Sequence, residues 1–114
     1  MLLRVRRHDA ATSVSEEAAP AAAEADLLAR ARQGDRDAFD GLVRLHLPRV
    51  WAVVWRMLRQ REDTEDVVQE IFLAAFQGLP AYRGEARLST WLHRIAVSRA
   101  INHLQRAEER ASRA

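Results

Sequence analysis

The sequence predicts an all-α fold, a compact helical bundle of about five helices. Three observations predict it. Apolar residues recur at helical spacing, without the apolar and polar alternation a strand needs. Gly and Pro number only 4 and 3 among 114 residues, so few breaks interrupt the helical runs. The balance of 48% hydrophobic to 30% charged residues is that of a globular domain with one core.

The elements follow in order. Residues 1–25 read as a disordered tail, because SVSEEAAPAAAEA is small, polar and broken by Pro20. The folded domain is expected over 26–110, with a frayed tail at 111–114. A first short helix runs from Asp26 to Arg32 and stops at Gly34, a C-terminal cap. A second starts from Asp35 as N-cap and runs to His46, with Ala38, Phe39, Leu42, Val43 and Leu45 as its apolar residues. A third begins at Pro48, since proline suits a first helical turn. It carries Val50, Trp51, Val53, Val54, Trp55, Met57 and Leu58, and is expected to be the central helix with both tryptophans in the core. The fourth spans Asp63 to Gly78, and a loop from Leu79 to Leu88 follows. The fifth is capped by Ser89 or Thr90 and ends near Ala107.

Composition excludes several functions. There is no Cys, hence no disulfide, cysteine zinc site or thiol chemistry, in keeping with a reducing cytoplasm. No apolar run reaches the roughly 18 residues needed to span a bilayer, so no membrane insertion is expected. The opening MLLRVRRHDAATS lacks the apolar stretch of a secretory signal. His8, His46, His93 and His103 are too dispersed for a local metal cluster, and no phosphate loop or nucleophile elbow occurs. No catalytic residue, metal or cofactor is expected, and the chain does not read as an enzyme.

Charge distribution is more telling than the net +2. The stretch from Glu62 to Glu70 holds five acidic residues and no basic one. On a helical wheel Val67, Val68, Ile71, Phe72, Ala75 and Leu79 fall on one side, and Asp66, Gln69, Glu70, Leu73 and Gln77 on the other. The second set is either a solvated face complementing the helix dipole or a partner surface with Leu73 as its apolar anchor. From Ala81 to Ala107 the sign reverses, with five Arg and one acid, Glu85. Arg94, Ser98, Asn102 and Gln105 form one stripe, and Arg99, His103 and Arg106 another. Val97, Ala100, Ile101 and Leu104 are expected to pack inward, after Trp91, Leu92, Ile95 and Ala96 in the first turns. Arg pairs with guanine and Asn or Gln with adenine, so such a stripe is either solvated or a base reader. The intervening AYRGEARLS is a plain connector or a holder of single-stranded bases, with Tyr82 as its exposed aromatic. Trp91 packs under this loop or touches nucleic acid.

The strings EDVVQEIFLAAF and YRGEARLSTWLHRIAVSRAINHL, with RQGDRDAFDGLVRLHLPRVWAVVWRML upstream, closely resemble region 2 of extracytoplasmic-function (ECF) sigma factors. The resemblance covers about Asp26 to Arg110. It implies docking of Asp66, Gln69, Glu70 and Leu73 on the clamp helices of the largest subunit of core RNA polymerase. It implies capture of the melted non-template strand of the promoter minus-ten element, with one base flipped into a loop pocket. The loop residues would be Tyr82, Arg83, Gly84, Glu85, Ala86, Arg87 and Leu88. Trp91, Arg94, Ser98, Arg99 and Asn102 would act from the helix. An anti-sigma factor is a further expected partner. Departures fall on the reading stripe: Ser98 replaces a common Asn, Asn102 a common Asp and Gln105 a basic residue, while Thr64 replaces an Ala at a helix start. The family also carries a second helical domain, region 4, absent from this chain, so weak binding without full promoter recognition is expected. Two rival readings are a module built mainly for an anti-sigma protein and an Arg-rich helical protein binding any duplex.

Overall fold

A computed structural model describes residues 18–113, as four α-helices and one 3₁₀ turn. These are α1 (Ala18–Arg32), α2 (Arg36–Leu58), α3 (Arg61–Gly78), the 3₁₀ turn (Leu79–Ala81) and α4 (Leu88–Arg113). The all-α class holds, and no strand occurs among the described residues. Residues 1–17 of the expected tail, and Ala114, lie outside the described residues. Over 18–25 the chain is helical where a tail was expected. Pro20 falls in the first turn of α1, where a missing N–H costs nothing because those donors have no helical acceptor.

Leu27, Leu28 and buried Ala31 hold α1 against the core. Gly34 closes it as expected. Its φ of 98° is left-handed, and its N–H donates to the Ala31 carbonyl at 2.9 Å. Asp35 caps α2 as expected, its carboxylate accepting the Ala38 N–H at 3.2 Å. That bond, helped by Arg30, holds the Asp35 carboxyl below the ordinary aspartate range.

The expected break before Pro48 does not occur: α2 is one helix of 23 residues. Proline denies the Arg44 carbonyl its helical donor, at a cost of roughly 3 kcal/mol. Buried Leu42, Val43 and Leu47 on one side of it, and Val50 and Val54 on the other, lie against the same core. Packing on both flanks carries the axis through. The same face explains a second correction. Trp51 and Trp55 are half-buried and not enclosed in the core, though Trp51 packs against it, and Leu45 is 46% exposed.

Arg59 ends α2 in a left-handed conformation, φ 56°, its N–H on the Trp55 carbonyl at 2.8 Å. A side chain there is strained by about 1–2 kcal/mol relative to glycine. Arg59→Gly should therefore raise the unfolding free energy by about 1 kcal/mol in urea titrations. An unchanged or lowered midpoint would mean the arginine makes offsetting contacts.

α3 starts at Arg61, two residues before the expected Asp63. Thr64 is fully buried, its hydroxyl donating to the Gln60 carbonyl at 2.6 Å. Val67, Val68, Ile71, Phe72, Ala75 and Leu79 are all buried, as the wheel requires. α4 starts at Leu88, not at a Ser89 or Thr90 cap, and the Trp91 N–H donates to the Arg87 carbonyl at 2.9 Å. Its buried residues are Leu88, Leu92, Ala96 and Ala100. Ile101 and Leu104, expected inside, are 42% and 41% exposed, because the helix runs past the end of the core. It continues to Arg113, beyond the expected end near Ala107 and through most of the supposed frayed tail.

Candidate nucleic-acid and partner interface

The loop between the 3₁₀ turn and α4 is built from beneath. Tyr82, expected outside, is only 7% exposed. Its N–H donates to the Leu79 carbonyl at 3.0 Å and its hydroxyl to the Ala86 carbonyl. Its ring lies tilted against Trp91, centroids 5.0 Å apart. Trp91 is half-buried and reaches Gly78, where a Cβ would stand 3.4 Å from its ring. Leu88, also assigned to the interface, is buried. Tyr82 and Leu88 hold the loop up from inside, and Trp91 packs beneath it while remaining partly exposed. One sequence signal points to Tyr82: it continues the helical spacing of buried Leu79 across Pro80.

What the loop presents outward is Arg83, Gly84, Glu85 and Arg87, with Ala86 half-buried. Gly84 has φ 79°, a conformation that side chains rarely adopt, with open space above it. On α4, Arg94, Ser98, Arg99 and Asn102 are exposed, as is Gln105. His103 leaves its expected stripe: it turns to α3 and meets the Asp63 carboxylate at 3.3 Å. Over residues 83–102 the loop and α4 thus expose four guanidiniums, at Arg83, Arg87, Arg94 and Arg99, against one carboxylate, Glu85; the end of α4 adds exposed Arg106, Arg110 and Arg113 together with Glu108 and Glu109.

On α3, Asp66, Gln69, Gln77 and Leu73 are exposed, Leu73 by 58%, and Glu70 is half-buried. Glu65 pairs with Arg61 at 3.4 Å, whereas Asp66 and Glu70 form no ion pair among the described residues. The acidic face therefore keeps uncommitted charge beside an exposed apolar side chain, the composition of a protein-binding patch.

Two basic residues outside the sequence assignment border the reading face. Arg49 on α2 and His93 on α4 line a narrow crevice between those helices. Beneath it, buried His46 meets Glu24 of α1 at 3.1 Å. Burial pushes the His46 pKa below the ordinary histidine value, with Arg49 adding to the effect and Glu24 opposing it. Among the described residues, no three His, Cys, Asp or Glu side chains gather as a metal site.

The family described as sigma-70 region 2 matches residues 42–110, from the first third of α2 almost to the end of α4. The chain belongs to that family. This region 2 domain is 42% identical over 78 residues to the ECF RNA polymerase sigma-E factor of Haemophilus influenzae, covering 68% of this chain and 41% of the relative. It is 39% identical over 85 residues to the ECF RNA polymerase sigma factor SigM of Mycobacterium tuberculosis, covering 75% and 43%. With the RNA polymerase sigma-H factor of Pseudomonas aeruginosa it shares 37% over 78 residues, covering 68% and 40%. The chain thus spans about two fifths of the length of these relatives. Among solved structures, the region 2 domain resembles an engineered region 2 of sigmaE, determined by NMR in complex with GTAAAA. The TM-score is 0.71 at 37% identity, over 76% of this chain and 90% of the other. No helix among the described residues is long and apolar enough to cross a membrane.

Proposed function

We propose that this domain docks on core RNA polymerase through α3 and captures the non-template strand of a promoter minus-ten element with the loop and α4. It acts in the cytoplasm as a non-enzymatic initiation module, because binding energy alone holds the melted strand. Unstacking a base costs a few kcal/mol. Arg contacts to phosphate supply sequence-independent affinity, and base-edge contacts supply choice. Arg83, Gly84, Glu85, Ala86 and Arg87 form the contacting part of the loop; Tyr82, Leu88 and Trp91 keep its shape. Arg94, Ser98, Arg99 and Asn102 read from α4. Asp66, Gln69, Glu70 and Leu73 face the polymerase clamp helices, and an anti-sigma protein competes for these same two faces. The observation that carries this reading is the exposed Arg, Ser and Asn face of α4 beside an outward Arg-Gly loop, in a fold whose structural counterpart holds GTAAAA.

The test is fluorescence anisotropy with single-stranded GTAAAA, each position varied in turn, against duplex of the same sequence. Single strand should bind more tightly, with preference at individual positions, and Asn102→Ala should flatten one of them by about 1–3 kcal/mol. Asp66→Ala with Gln69→Ala should weaken binding to core polymerase and leave oligonucleotide binding intact. Equal affinity for every sequence and for duplex would overturn the strand-capturing role.

A further inference from the structure

We propose that the crevice between α2 and α4 is a phosphate site, in which Arg49, Ser89 and His93 hold one backbone phosphate of the strand whose bases α4 reads. The inference rests on the strand-capturing role and extends the contact surface onto a second helix. Ser89 and His93 stand one turn apart on the side of α4 turned to α2, and Arg49 faces them from α2. The rest of the lining is apolar, with Val50, Val53, Leu92 and Ala96, except for buried His46. Only donors and basic groups stand at the rim, and no carboxylate lines the crevice.

Charge complementarity selects the occupant. Arg49 is exposed and makes no ion pair among the described residues. Glu24 is hydrogen-bonded to His46, 3.1 Å away, and forms no ion pair with Arg49. A guanidinium on an apolar wall, beside a hydroxyl and an imidazole, matches the tetrahedral oxygens of a phosphodiester. Low-dielectric walls strengthen that attraction. The position suits a strand lying on α4, since His93 adjoins Arg94 and the exposed stripe runs on through Ser98 and Asn102.

The experiment is a salt titration of the full chain with single-stranded GTAAAA, using wild type, Arg49→Gln and, as a control on another side of α2, Arg44→Gln. Arg49→Gln should lower affinity several-fold at low salt and reduce the slope of log K against log salt by about 0.7, one single-strand phosphate contact. Preference among bases should not change. A methylphosphonate at one linkage should reproduce the loss in wild type and cause no further loss in Arg49→Gln. Arg44→Gln should keep the wild-type slope. Selective binding with an unchanged slope in Arg49→Gln, or losses that add at every linkage, would overturn the crevice and leave the strand-capturing role standing. No binding of the strand by wild type would overturn both.

Discussion

Ile71→Ala should cost about 2–5 kcal/mol of folding free energy, while Leu73→Ala, two residues on in the same helix, should change it by no more than about 0.5 kcal/mol. Ile71 is fully buried in the middle of α3, against the shared core. Truncating it removes apolar contact and leaves a cavity that helices packed on several sides cannot close. Leu73 is 58% exposed and touches little. A small domain has only about 5–15 kcal/mol in hand, so the first variant loses a large share of its stability. Urea denaturation followed by circular dichroism measures both. The reciprocal readout is polymerase binding: Leu73→Ala should weaken it with the fold intact. Comparable stability losses in the two variants would mean that α3 is rotated from the orientation described.

The second large effect concerns the loop. Tyr82→Ala should destabilise by about 3–5 kcal/mol, as expected for a large buried aromatic. Tyr82→Phe should cost only about 1 kcal/mol, the hydroxyl bond to the Ala86 carbonyl. An exposed stacking tyrosine behaves differently: its loss would leave stability untouched and remove about 1–3 kcal/mol of strand affinity. Thermal and urea unfolding of the two variants, with oligonucleotide affinity measured under conditions where both are folded, separates these outcomes. A Tyr82→Ala variant as stable as wild type, yet poor at binding strand, would return Tyr82 to the contact surface.

Much of this was legible in the residues. Gly34 and Asp35 mark the α1–α2 junction because one relieves a left-handed turn and the other satisfies a free N–H. The two faces of α3 follow from a period of 3.6 because neighbours cover one side only. Legibility ended where tertiary packing overrode local preference. Pro48 reads as a start, yet the buried residues on both sides of it keep one helix. Arg59 occupies a conformation that local rules reserve for glycine. Ile101 and Leu104 have the right spacing for the inside, but spacing cannot reveal where the opposing helices stop. Tyr82 has the composition of a loop aromatic and the environment of a core one. Arg49 and His93 are 44 positions apart and carry no shared motif, so only the folded chain brings them to one crevice.

The proline inside α2 also bears on how openings spread through the molecule. The helix before it carries contacts to α1, with Gly41 under Leu27 and His46 on Glu24, besides its share of the packing toward α4. The helix after it carries Arg49, Val50 and Val53 toward α4. A missing hydrogen bond between the two segments is a seam at which cooperativity weakens. Thermal fluctuations that peel α1 away should therefore stop at Pro48, and hydrogen exchange should find the amide protons C-terminal to it slower than those before it.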